Sequence, residues 1–290
     1  MKYGIIFANT GPAAVDPEYL AEFAQLAEEN GFESLWTVEH VVVPAGYESS
    51  YPYSRSGKMP GGEDLPIPDP LVWLSYVAAV TSRIRLATGI LILPQRNPVV
   101  LAKEVATLDV LSGGRVTLGV GVGWLQEEFD ALGVPFADRG PRTDEAVAAL
   151  RCLWAEEEPT FSGDYWSFER AKSYPKPLQA GGVPVVVGGH SKAAARRAGR
   201  LGDGFFPGRG ALDELAPLLD EMRSAAADAG RDPDAIEVTA GGAMDVDGVK
   251  QFADLGVSRM VVPPLGYDLA TLRDQLPRFA DTVIAPTSEL

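Results

Sequence analysis

Apolar positions along this chain come in short clusters, separated by longer stretches in which they recur every three or four residues. Eight clusters have the length and the β-branched or aromatic content of strands: Lys2–Ala8, Ser34–His40, Ile84–Leu93, Val116–Gly123, Pro184–Gly188, Gly204–Pro207, Ile236–Ala243 and Arg259–Pro263. Several are apolar on both faces, as strands must be when both faces are covered. The stretches between them carry helix signals. Pro17–Asn30 closes on Gly31, Pro98–Leu111 closes on Ser112-Gly113-Gly114, and Arg142–Glu157 precedes Pro159. Further helices are predicted over Ser191–Leu201, Leu212–Ala229, Asp247–Leu255 and Leu269–Phe279, the first opening on Ser191 as N-cap. Strands alternating with helical crossovers specify a parallel sheet, and eight strands with seven or eight crossovers predict closure into a (β/α)8 barrel. An open doubly wound sheet would need a Gly-rich turn after the first strand. Asn9-Thr10-Gly11-Pro12 lacks that G-x-G-x-x-G spacing. The expected fold is therefore one α/β TIM barrel domain over residues 1–290.

Two stretches interrupt the alternation. Val41–Pro68, rich in Tyr, Pro, Gly and Ser, is too long for a simple connector after the second strand and reads as a lid or binding loop, with a disordered insertion as the alternative. Within Pro159–Gln179, the run Phe161–Phe168 reads as a small hairpin with a Gly-Asp turn.

Charge narrows the partners. Lys and Arg total 25 against 40 Asp and Glu, a net −15, which disfavours nucleic acid and anionic membrane surfaces. An anionic small molecule remains compatible wherever Arg, Lys and backbone N–H groups gather locally. The lone Cys152 rules out an intrachain disulfide framework and fits a reducing, cytoplasmic setting. The first apolar run reads as a strand, not a signal peptide, and no segment approaches the roughly 18 apolar residues of a spanning helix.

In a barrel, chemistry sits at the C-terminal strand ends. The only two histidines, His40 and His190, both fall there; their shared face favours a functional role for His40, while His190 reads equally well as a structural residue. In the third strand, Thr88-Gly89-Ile90 places a glycine where a bulge or a ligand meets backbone, although packing alone would also explain it. In the fourth, alternate glycines Gly119, Gly121 and Gly123 clear one face for a flat ring, a neighbouring backbone or small-residue layering. Gly188-Gly189-His190-Ser191 opens directly into a helix with Lys192 and Arg196 in its first turns, a pattern suited to an anion. Gly208-Arg209-Gly210 offers further flexible amides and another Arg. A phosphate site is the functional reading of both segments; a plain helix cap and a surface turn are the alternative. No metal-ligand spacing, Gly-x-Ser-x-Gly or P-loop is present.

The run Thr88–Pro98, the block Ala102–Arg115 ending Leu-Ser-Gly-Gly-Arg, Leu118–Trp124, Glu127-Glu128-Phe129, Trp36–His40 and Gly202–Pro207 together resemble the luciferase-like monooxygenases. More narrowly they resemble the branch of deazaflavin (coenzyme F420)-dependent oxidoreductases. That resemblance implies a cofactor ring across the strand ends and a phosphate near Gly188, Gly189, His190, Ser191, Gly208 and Arg209. It also implies a non-prolyl cis peptide near Thr88, Gly89 and Ile90. Glu39, Gly121 and Gly123 complete the expected cofactor contacts, and His40 matches the family histidine that meets ring or substrate. Sugar-phosphate dehydrogenases of the class carry a glutamate where Trp124 stands, which argues against a sugar phosphate. The resemblance implies hydride transfer between reduced F420 and an unsaturated or carbonyl substrate, with His40 moving the proton. An FMN-dependent monooxygenase using O2 is the competing reading, and a catalytically silent flavin-binding barrel is a third. Relatives of this class often form homodimers.

Overall fold

The computed structural model describes residues 1–208 and 211–290. In chain order its strands are β1 (Lys2–Ile6), β2 (Ser34–Thr37), β3 (Arg85–Thr88), β4 (Leu91–Ile92), β5 (Val116–Gly121), β6 (Phe161–Ser162), β7 (Ser167–Phe168), β8 (Val185–Gly188), β9 (Gly204–Phe206), β10 (Glu237–Gly241) and β11 (Arg259–Val262). The helices are α1 (Pro17–Glu29), α2 (Pro70–Val80), α3 (Pro98–Ser112), α4 (Gln126–Ala131), α5 (Arg139–Ala155), α6 (Lys192–Leu201), α7 (Leu212–Asp228), α8 (Val246–Asp254) and α9 (Leu269–Phe279). Parallel pairings run β3-β2-β1-β11-β10-β9-β8-β5, and Leu86 opposite Val116 joins β3 to β5. Eight parallel strands therefore close into the barrel that the alternation predicts. β6 and β7 form the expected hairpin, with the Phe161 and Phe168 rings stacked at 5.7 Å.

The third strand is not continuous as the sequence predicts. It breaks at a cis Gly89–Ile90 peptide into β3 and the short β4, both of which pair with β5. Strands one and two also stop early, at Ile6 and Thr37, because Phe7 turns the chain through a φ of 61° and Asn9 takes over the backbone groups beyond them. The fifth helix begins at Arg139, a turn earlier than its periodicity indicates.

Helices α2 and α4 carry no prediction from periodicity. In α2, Leu71, Trp73, Leu74 and Val77 are buried while Val72 and Tyr76 are exposed, so nearly every position is apolar and no amphipathic stripe stands out. Its start is nonetheless marked locally: Asp69 accepts the N–H groups of Leu71 and Val72, with Pro70 at the first helical position.

Side chains fill the barrel interior in layers. At the N-terminal end, buried Arg259 makes two 2.9 Å bonds to Glu33, another to Glu237 and one of 3.2 Å to Thr239. Above it lie Trp36 and Phe206, their rings 5.5 Å apart, packed with Ile6, Ala87, Val186 and Val261. No helix among the described residues is long and apolar enough to cross a membrane.

Candidate functional site

The C-terminal strand ends are organised around the broken third strand. Thr88 donates its hydroxyl to the Gly119 carbonyl at 2.6 Å, and Gly89 donates its N–H to the Thr37 carbonyl at 2.5 Å. The glycines of β5 and β8 make this break possible. A Cβ on Gly119 would lie 1.8 Å from the Thr88 oxygen; one on Gly121 or Gly188 would lie 2.6 or 2.4 Å from the Ile90 side chain. Gly123, at a φ of +82°, would meet Phe129 at 2.7 Å. Of the options left open for the alternating glycines, the close approach of a neighbouring chain segment is the one the geometry realises.

Glu39 braces the same platform. Its buried carboxylate accepts the Ile92 N–H and is gripped by Arg96, which also binds Asp69 at 2.8 Å. Burial pushes the Glu39 carboxyl above its ordinary value, against the pull of Arg96. Both oxygens are thereby engaged within the protein.

His40 stands beside this brace with its two nitrogens in different situations. Nδ1 lies 3.0 Å from Glu128 on α4, whereas Nε2 has no hydrogen bond to the described residues. Glu128 is wholly buried, and its other oxygen accepts the Val41 N–H at 2.6 Å. Trp124 meets the His40 ring edge-on at 5.5 Å, and Tyr47 and Tyr51 pack on the same indole at 5.5 and 5.1 Å. The sequence marks Trp124 as a departure from the sugar-phosphate dehydrogenases, whereas Glu128, Tyr47 and Tyr51 are functional candidates that it does not single out. The Glu127-Glu128-Phe129 run was visible as a motif, but its contact with His40 spans 88 positions.

Residues 41–68 are tied to the barrel at several points. Glu127 accepts the Glu48 and Ser49 N–H groups at 2.7 and 3.0 Å, Gly11 donates to Pro66 at 2.9 Å, and Asn9 donates to Val38 and Pro68 at 2.9 and 3.0 Å. The Ser49 hydroxyl first, and then these amides, hold the Glu127 carboxyl down at about 2. The segment crosses the mouth: Tyr51 lies against both Trp124 and Tyr53, and the Tyr53 ring lies beside Gly208.

Of the two glycine-rich segments read as an anion site, residues 188–191 meet the end of β9. Gly189 N–H donates to the Phe206 carbonyl at 3.0 Å, and His190 Nδ1 lies 2.9 Å from the Pro207 carbonyl. Ser191 caps α6 through Ala194 N–H at 3.2 Å, as predicted. Lys192 and Arg196 do not join them. Both pair with Glu221 on α7, at 3.9 and 2.5 Å. Arg209 lies outside the described residues.

Phe7, Val41, Val42, Met244 and Tyr267 are exposed beyond the ends of β1, β2, β10 and β11, four adjacent strands, so one half of the mouth has an apolar rim. The described residues contain no cluster of three or more His, Cys, Asp or Glu suited to a metal ion.

A family model described as luciferase-like monooxygenase matches residues 1–248. An uncharacterized protein of Mycobacterium tuberculosis is 34% identical over 282 residues, 94% of this chain and 97% of its own length. An F420-dependent glucose-6-phosphate dehydrogenase of Kineococcus radiotolerans is 36% identical over 229 residues, 77% of this chain and 62% of that protein. The crystal structure of a monooxygenase from Streptomyces bottropensis is 31% identical and superposes with a TM-score of 0.66, covering 88% of this chain and 75% of the other.

Proposed function

We propose, from the premise that this chain belongs to the luciferase-like monooxygenase family, that it is an F420-dependent oxidoreductase acting on a neutral carbonyl or conjugated unsaturated compound. The observation that carries this reading is His40: a histidine just beyond β2, oriented through Nδ1 by Glu128, with no hydrogen bond from Nε2 among the described residues. When bound, reduced deazaflavin supplies a hydride to the substrate. The chain supplies the rest. As the imidazolium, His40 gives its Nε2 proton to the developing alkoxide or enolate and is recharged from solvent; as the neutral ring it takes one at Nε2 from an alcohol in the reverse direction. The seated residues 41–68 keep water from the mouth.

The corner proposed for a phosphate-bearing cofactor lies at His190 and Ser191 at the start of α6, with the Tyr53 ring beside Gly208. Gly188, Gly189, Ser191 and Gly208 shape that corner, and Arg209 is proposed to join it. Thr88, Gly89, Ile90, Gly121 and Gly123 form the platform, and Glu39 stiffens it. The Kineococcus relative supports F420 by its name. It does not transfer its substrate, because the wall next to His40 is Trp124, Tyr47 and Tyr51, which offers a sugar phosphate little to bind.

The runner-up is an FMN-dependent monooxygenase, favoured by the 31% identity to the Streptomyces enzyme. Equilibrium titration with F420 and with FMN, each alone, separates the two.

A further inference from the structure

A buried carboxylate is costly unless donors surround it, so the donors around Glu128 indicate its purpose. Val41 N–H, at 2.6 Å, occupies one oxygen, with Val42 N–H at 3.4 Å on the same atom. His40 Nδ1, at 3.0 Å, faces the other. An ionised carboxylate only accepts, so Nδ1 must carry the proton that lies between them, and in the neutral ring Nε2 is left with a bare lone pair. Trp124, edge-on at 87°, stands against the imidazole and hinders its rotation.

We propose that Glu128 is the positioning residue for His40. It fixes the tautomer in which Nε2 faces the substrate as the proton-exchanging atom, and through Val41 it ties that state to the seated start of the mouth loop. Glu128 itself touches no reacting atom. The inference rests on the assignment of His40 to the proton step.

The arrangement makes Glu128→Gln informative. Val41 N–H requires an oxygen on its side, so the new amide is locked with its NH2 group toward His40. Nδ1 must then accept, and the ring proton moves to Nε2. Replacing the orienting carboxylate of a serine protease triad by its amide leaves geometry intact and inverts the histidine in the same way.

The chain has two histidines, so protein labelled with 15N-histidine gives two imidazole patterns, told apart with His190→Gln. At a pH where the rings are neutral, His40 in the wild type should show a protonated Nδ1 and a bare Nε2, and Glu128→Gln should exchange them. Glu128→Ala, as a second variant, should give a mixture of both tautomers. Anaerobic oxidation of reduced F420 by a panel of simple ketones and enones draws on the imidazolium, which carries a proton on both nitrogens. Because the amide NH2 opposes a proton on Nδ1, this oxidation should slow at least about tenfold in Glu128→Gln, with F420 affinity unchanged. Adding Glu128→Gln to His40→Asn should slow it no further. A wild-type tautomer pattern in folded Glu128→Gln, or a protonated Nε2 in the wild type, overturns the proposal while leaving His40 its role. Wild-type turnover by His40→Asn instead overturns the functional reading.

Discussion

His40 has one nitrogen committed to Glu128 and one with no hydrogen bond among the described residues, which is what a proton-transfer group needs and a packing residue does not. General acid–base assistance is worth about 10²–10⁴-fold, equivalent to roughly 3–5 kcal/mol of barrier. His40→Asn should therefore slow single-turnover oxidation of bound reduced cofactor by that factor and leave cofactor affinity nearly unchanged. Weakened affinity with an unaltered chemical step would assign the ring to packing instead. The residue was legible because both histidines fall at strand ends and a barrel points those ends at one face. Glu128 was not, because its partner is distant in the chain and a carboxylate in a Glu-Glu pair at a helix start looks like solvated charge. The glycines were half legible: Gly119, Gly121 and Gly188 announced missing side chains, but only the structure shows Thr88 and Ile90 occupying the space. Gly189 is conformationally demanding as well as flexible, with a φ of +128° and its N–H spent on Phe206.

At the scale of elements, the mouth loop is a strap fastened at several points. Glu128 and Glu127 hold its first part, Asn9 and Gly11 its last, and Tyr53 rests on the corner proposed for the cofactor phosphate. If the Tyr53 phenol oxygen occupies the phosphate position, Tyr53→Phe should let F420 bind more tightly, by up to about tenfold. Fluorescence titration reads this directly, and an unchanged or weaker affinity would show that Tyr53 does not hold the phosphate position. The loop's existence was legible from its length and composition, whereas its fastening was not, since every tie runs to a residue outside it. Helix α2 was missed for a different reason. Its sequence is apolar almost all round, so periodicity is silent, and the Asp69-Pro70 start signal was the only local mark.

For the molecule as a whole, the barrel is closed at its N-terminal end by Arg259 between Glu33 and Glu237. Burial pushes both carboxyls up, but the Arg259 hydrogen bonds and charge outweigh it and hold them below their ordinary value. Depressed carboxyls contribute stability that is fully present above the unfolded value, about 4.3, and is lost as pH falls through the lower folded values. Thermal melts should thus hold steady from neutrality to about pH 5 and fall steeply below about pH 4. In Arg259→Met the glutamates lose their buried partner and keep Lys2 and Arg85 at the more exposed side, so the acid limb should move to higher pH. Stability at pH 7 should drop by roughly 2–3 kcal/mol, less than a fully buried broken pair because both glutamates keep some solvent. An acid limb unmoved by the substitution would remove the plug from the account of barrel stability. Barrel closure itself was legible from alternation, because eight apolar runs with helical crossovers leave few arrangements that bury both faces.

Cofactor identity is the claim on which the functional account turns, and titrating the purified wild-type chain with F420 and, separately, with FMN tests it most directly. The expected result is saturable F420 binding, weakened by added inorganic phosphate through the corner at His190, with FMN binding much more weakly. Saturable binding of FMN with none of F420 would contradict it and assign the chain to the oxygen-using flavin enzymes of its family.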